Sequence, residues 1–155
     1  MADIHELLSL VDLADMIVFE ERGRRIEWTD EEVAKHDFPM TSNSLGISSA
    51  GSAHYFRFRI VFTDRGAEYV ADFCAQYDVS EDVSVSDEIA TDFAERVAFM
   101  ATYPFLRASI FGSASRLNQP VPILGLVKLG DFHVGETMPD SDVNEAFGDN
   151  VSELL

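Results

Sequence analysis

The sequence predicts an α+β domain, an antiparallel β-sheet with helices packed on one side. Three observations predict it. A strictly alternating hairpin fills the middle of the chain, two helical stripes follow it, and no repeat, low-complexity block or linker divides the 155 residues. A chain of this length buries about 70% of its unfolded surface, enough for one core and hardly two. One domain over residues 1–155 is therefore expected.

The first strand is expected at Met16–Glu20, followed by a turn at Arg22-Gly23 and a short partner strand at Arg24–Trp28. Residues 29–54 mix acids, Ser, Asn, Gly and Pro39, and read as loop with one strand near Leu45–Ser49. The hairpin is clearer. In Tyr55–Phe62 the side chains of Phe56, Phe58, Ile60 and Phe62 share one face, and Arg57 and Arg59 take the other. Thr63-Asp64-Arg65-Gly66 follows as a turn, with the glycine expected at positive φ. On the return strand, about Glu68–Val79, the residues Tyr69, Ala71, Phe73, Ala75, Tyr77 and Val79 alternate with Asp72, Gln76 and Asp78. Such alternation means a half-buried antiparallel strand.

Ser86 is placed to cap a helix whose apolar positions are Ile89, Phe93, Val97 and Met100. Tyr103-Pro104 is expected to end it and start another, because proline disfavours helical geometry in the preceding residue. The second stripe is Leu106, Ile110, Ala114 and Leu117, with Gly112 weakening that helix by about 1 kcal/mol. After Asn118 two prolines and Gly125 impose an extended apolar segment. The last 25 residues hold seven acids and no Lys or Arg, with room for a short helix near Asp140–Phe147.

Charge excludes whole classes of function. With 28 acidic and 11 basic residues the formal net charge is −17. Phosphate contacts dominate nucleic-acid affinity, so no nucleic-acid partner is expected, and anionic membrane surfaces repel such a chain. The uncharged apolar run Leu117–Val127 has 11 residues, too short to span a bilayer, and no direct membrane insertion is expected. The first basic residue is Arg22, preceded by four acids up to Asp15, so neither a secretory signal nor a transit peptide is read at the start. Cys74 is the only cysteine, which rules out a disulfide framework. A cytoplasmic location is expected.

No catalytic or metal motif emerges, and neither an enzyme nor a bound cofactor is expected. His5, His36, His54 and His133 lie apart from one another and from Cys74. Gly46-Ile-Ser-Ser-Ala-Gly51 lacks the lysine of a phosphate loop and the serine spacing of a nucleophile elbow. Asp140, Asp142 and Glu145 open like a calcium loop, but Ala146 stands near where its turn needs glycine. Cys74 falls on the polar face of its strand, where partial exposure is expected, with no base in view to activate it.

Tyr103-Pro104-Phe105-Leu106-Arg107, then a helix, then Arg116-Leu117-Asn118-Gln119-Pro120-Val121-Pro122-Ile123-Leu124 resembles the SecB family of export chaperones, including its toxin–antitoxin-associated members. In that family an aromatic-Pro-aromatic-x-Arg motif opens the first long helix and a Pro-rich crossover follows. Ile17-Val18-Phe19-Glu20 is similar to the family's first strand, and the hairpin at 55–79 to its central strands. The resemblance covers about residues 10–132, leaving 133–155 as an acidic C-terminal segment. The chain departs from the export factors in two places. Phe99-Met100-Ala101-Thr102 replaces their Cys-Pro pair, and Met16 stands four residues before Glu20 where their first strand has an acid, with Asp15 one residue off.

The resemblance implies an ATP-independent holdase that keeps unfolded or pre-secretory polypeptides soluble, for export or for control of a toxin–antitoxin pair. It implies a homotetramer, a dimer of dimers joined through the helices, with the sheet presenting an acidic outer face. The client groove would be lined by Phe56, Phe58, Tyr103, Phe105, Pro122, Ile123, Leu124, Leu126, Val127 and Leu129. The partners implied are client chains together with SecA or an antitoxin, and Asp15, Glu20 and Glu21 would form the acidic strand that contacts SecA. The composition suits such a role: 12 Phe, 4 Tyr and 5 Met supply soft apolar surface, and the charge keeps complexes dispersed. Two rival readings stay open. One is a non-enzymatic α+β module for a single dedicated protein or small apolar ligand, and the other is a small hydrolase with a long-range triad.

Overall fold

The computed structural model describes residues 3–80 and 84–122. Its element order is α1 (Ile4–Leu8), β1 (Val11–Arg25), α2 (Asp30–Lys35), β2 (Met40–Ala50), β3 (Ala53–Thr63), β4 (Ala67–Val79), α3 (Asp87–Phe93) and α4 (Phe99–Arg116), with a π-helical turn at Ala94–Ala98 joining the last two. The four strands form one antiparallel sheet in the order β1-β4-β3-β2. The α+β expectation holds, with the helices gathered against one face.

The central hairpin is as expected. Phe56, Phe58, Ile60 and Phe62 on β3 and Tyr69, Ala71, Phe73, Ala75 and Tyr77 on β4 are buried in one core with Phe93, Phe99, Leu106, Ile110 and Ala114. Aromatic rings fill the space between layers, Phe93 lying 4.9 Å from Tyr77 and 5.3 Å from Phe56, and Phe99 lying 5.4 Å from Phe58. β4 is not half-buried, however. Val70, Asp72 and Cys74, on its other face, are as buried as the core residues.

The first strand differs from its expected form. Residues 16–20 and 24–28 do not pair as a hairpin; β1 runs unbroken for 15 residues and pairs with β4 throughout. Gly23 is there for proximity rather than for a turn. A Cβ on it would stand 3.0 Å from Ser113 Cβ, 3.1 Å from Leu117 Cδ1 and 3.3 Å from Tyr69 Cδ1, so glycine lets α4 close onto the strand. Gly23→Ala is expected to cost about 1–3 kcal/mol by overpacking this contact. A urea midpoint unchanged from the parent would show that β1 and α4 part freely.

Residues 29–54, read as mostly loop, hold α2 and all of β2. Thr29 caps α2 with a capping box, its Oγ1 accepting the Glu32 N–H at 3.2 Å while the Glu32 carboxylate accepts the Thr29 N–H at 2.9 Å. β2 pairs residue for residue with β3 from Met40↔Thr63 to Ala50↔Ala53. Positive φ falls at Gly51 in the β2–β3 turn, at 61°, and not at Gly66, which instead lets the Gln119 side chain lie against the β3–β4 turn.

The helical segment is also rearranged. Ser86 caps α3 as expected, its Oγ accepting the Ile89 N–H at 3.3 Å. No break occurs at Tyr103-Pro104; Pro104 lies inside α4. Its missing N–H would have bonded the carbonyl of Met100, and burial of Phe99, Thr102, Leu106 and Ile110 outweighs a cost of about 3 kcal/mol. The irregularity sits upstream, in the π turn. One extra residue per turn rotates the helix by roughly 100°, so Phe99 takes the core position and Met100, expected in the stripe, is 45% exposed.

Candidate functional site

The outer face of the sheet, away from the helices, is built around a buried carboxylate. Asp72 is wholly buried at the centre of β4, and its oxygens accept from Arg57 Nε at 2.8 Å and Nη2 at 2.7 Å and from Arg59 Nη1 at 3.1 Å. Arg59 Nη1 also donates to Glu20 Oε2 at 2.6 Å, and Arg22 pairs with Glu20 at 3.2 Å. Three strands are thus tied by one set of charges. The Arg59 hydrogen bond holds the Glu20 carboxyl below its ordinary pKa, against a smaller opposing effect of burial. Arg57 lies 4.3 Å above the Phe19 ring, beside a small apolar cluster of Tyr55 and Cys74 with Ile17, Phe19 and Ala53. The outer face is therefore a paired arginine–carboxylate surface rather than a simply acidic one.

The acidic strand residues separate within this frame. Asp15 opposes Gln76 and Glu20 opposes Asp72, so both lie on the outer face, although residues five apart on a regular strand face opposite ways. A bulge between Val18 and Glu20 shifts the register by the one residue needed. Glu21 opposes Ala71 and takes the helix side. Asp15 and Glu21 are exposed, whereas Glu20 is held by its two arginines.

Cys74 proves fully buried, contrary to the partial exposure expected of it. Burial pushes its thiol up to about 12. At pH 8 roughly one thiol in ten thousand is then ionised. Thiol-directed reagents are expected to leave the folded protein unmodified at pH 8 and to label it fully in denaturant; rapid labelling of the folded chain would show that β4 opens. Among the described residues no group of three or more His, Cys, Asp or Glu is gathered to hold a metal. An open cleft of about 840 Å³ between α1 and α3 is lined by Asp3, Asp87, Glu88, Asp92 and Glu95 together with Ile4, Ile89 and Arg96.

The second surface is the outward face of α4. Its 18 residues contain no acid, and its charges are Arg107 and Arg116, in a chain of net charge −17. Met100 and Phe105 are 45% and 48% exposed, about 140° apart around the helix, and the Arg107 guanidinium lies 5.0 Å from the Phe111 ring. Of the expected groove residues, Phe105 lies on this surface. Tyr103 is half-buried at its edge, 5.5 Å from the Phe99 ring. Phe56 and Phe58 are instead buried in the core, packed against Phe93 of α3 and Phe99 of α4. Pro122 is buried at the end of the described chain, and Ile123, Leu124, Leu126, Val127 and Leu129 lie outside the described residues, as does the expected helix at 140–147. Among the described residues no helix is long and apolar enough to cross a membrane.

No family model matches the chain. It is 28% identical over 141 residues to the SecB-like chaperone SmegB of Mycolicibacterium smegmatis, covering 90% of this chain and 91% of that protein. Its fold is that of the Mycobacterium tuberculosis SecB-like chaperone Rv1957, solved in complex with a ChAD peptide from the antitoxin HigA1. The TM-score is 0.66 at 15% identity, over 80% of this chain and 92% of that one. A protein of unknown function from Streptococcus agalactiae matches with a TM-score of 0.54 at 9% identity, over 75% of this chain and 97% of that one.

Proposed function

We propose that this chain, SecB-like in sequence and in fold, is an ATP-independent holdase that keeps unfolded polypeptides soluble, with an antitoxin-type segment among its clients. The observation that carries the reading is an acid-free, partly apolar helix face on a chain of net charge −17. An apolar surface that meets clients beside a charge that disperses the complexes is what passive protection requires. Likeness to SmegB over nine-tenths of both chains supports it. We place the protein in the cytoplasm and read its working form as a tetramer built through α4.

For the acidic strand, we propose that Glu20 is structural, since its carboxylate is already bonded to Arg59 and Arg22, and that any SecA contact falls to Asp15 and Glu21. The experiment is aggregation suppression of two unrelated chemically denatured proteins at equimolar ratio, with and without ATP, beside the mass by light scattering. Protection of both clients, indifferent to ATP, by a tetramer is the expected result. Protection of neither, or ATP-driven release, overturns the holdase; a monomer mass at micromolar concentration overturns the assembly.

A further inference from the structure

One histidine is built into the contact between the first helix and the sheet. His54, near the start of β3, lies opposite Tyr77 of β4 and shares its helix side. There it lines a cavity of about 10 Å³ with Leu7 of α1, Val11 of β1, Tyr77 of β4 and Phe93 of α3, and Phe56, Val79 and Val85 complete the wall. A space that small is at the lower limit for one water. α1 depends on this pocket. It has five residues, too few to persist as a helix alone. Leu7, at 3% exposure, is its one buried side chain, and His5, Glu6 and Leu8 face solvent. Beside Leu7 stand the rings of Phe56, Tyr77 and Phe93, their centroids 4.9 to 5.9 Å apart.

We infer that His54 is an acid-operated latch: protonation of its imidazole frees α1 from the end of the sheet and bares the Phe56, Tyr77 and Phe93 rings to client chains. The inference rests on the holdase reading and adds a condition that regulates it. Among the described residues the charged imidazole finds no acid in its pocket. The side chains that face it from α1, β1, β4 and α3 are Leu7, Val11, Tyr77 and Phe93, and Ser49 lies opposite it on β2. The acids near by turn elsewhere. Asp12 and Asp78 oppose each other on the outer face, and Asp3, Asp87, Glu88, Asp92 and Glu95 line the cleft between α1 and α3. Glu81 and Asp82 lie outside the described residues. Burial accordingly holds the imidazole below its ordinary pKa of 6.5. A proton therefore favours the open form, so α1 stays latched above about pH 6.5 and loosens as pH falls below it. With the open form titrating near 6.5, the open-to-closed ratio rises by up to about tenfold between pH 7.5 and 5.5. Ordinary carboxylates keep their charge over that interval.

The test is residue-resolved amide hydrogen exchange on the full chain at pH 7.5 and 5.5, beside aggregation suppression of one denatured protein at the same two values. The amides that report the latch are those of Leu7 and Leu10, which donate to the carbonyls of Asp3 and Leu7. Corrected for intrinsic exchange, their protection is expected to fall about three- to tenfold at pH 5.5 in the parent, with the central amides of β4 unchanged. It should not fall in His54→Leu, and client protection should rise with acid in the parent alone. His54→Phe repeats the comparison where the leucine variant does not fold, and His5→Gln, changed at the exposed histidine of α1, should respond like the parent. Exchange indifferent to pH, or a response that survives loss of His54, overturns the latch and spares the holdase. A response lost in His5→Gln overturns it as well, by assigning the switch to His5. Amides that loosen without any gain in client protection overturn the regulation. A chain that protects no client at either pH overturns the holdase reading and its regulation together.

Discussion

Replacing Asp72 by alanine is expected to destabilise the fold by about 3–5 kcal/mol, the usual result of removing one partner from a buried ion pair. At about 2–4 °C per kcal/mol for a chain of this size, the melting temperature should fall by roughly 6–20 °C. Asp72 has no exposure, and three of the hydrogen bonds its oxygens accept come from arginines at 2.7 to 3.1 Å. Removing it leaves the Arg57 head, already 89% shielded from solvent, facing apolar neighbours without its bidentate partner. Desolvation of that cation, more than the attraction lost, sets the size of the effect. The argument has a second arm. Asp72→Leu with Arg57→Leu removes both charges, and because well-packed apolar replacements of buried ion pairs are often neutral, the double variant should recover most of the loss. A single Asp72→Ala change below about 1 kcal/mol would mean that water reaches the pair. A double variant as unstable as the single would mean that the cost lies in packing.

This carboxylate also marks where the sequence was legible and where it was not. Alternation on β3 and β4 placed the aromatic face correctly because that face is buried by helices from the same chain. The opposite face was read as solvated because its residues are charged. Yet Arg57, Arg59 and Asp72 are cross-strand neighbours, and charges that neutralise one another can be buried together. Their alternation, Arg57 and Arg59 against Asp72, was the available signal. The unbroken β1 was missed because Gly23 is ambiguous by itself: a turn glycine and a close-approach glycine look alike until the helix that approaches is known. The outer-face placement of Asp15 beside Glu20 needed the bulge at Phe19, which no period-two reading contains. β2 escaped because Ser, Thr and Asn favour turns by local hydrogen bonding, and only the partner strand overrides them. The capping box Thr29-x-x-Glu32, by contrast, was there to be read. Met100 and Phe99 exchanged roles because an unforeseen π turn rotates everything after it.

That exchange underlies the second large expectation. Phe105 and Leu106 are adjacent on α4, at 48% exposure and none, and they should respond in opposite ways. Leu106→Ala is expected to cost about 2–5 kcal/mol of stability, as core truncations do, while client protection per folded molecule stays at the parental level. Met100→Glu combined with Phe105→Glu should leave the melting temperature nearly unchanged, since exposed substitutions usually stay within about 0.5 kcal/mol each. Its effect should appear in function. Fully burying a large apolar side chain contributes about 1.5–3 kcal/mol. The exposed halves of Met100 and Phe105 together therefore represent roughly 2 kcal/mol on contact, or about thirtyfold in affinity, before the added carboxylates are counted. Both changes also place acid on α4, which has none, in a chain whose net charge of −17 repels its own copies. Mass and protection must therefore be read on the same sample. A folded tetramer with lost protection assigns the face to clients, and a folded monomer or dimer assigns it to assembly. A folded variant that assembles and protects like the parent would remove the outward face of α4 from both roles, leaving the holdase reading without the observation that now carries it.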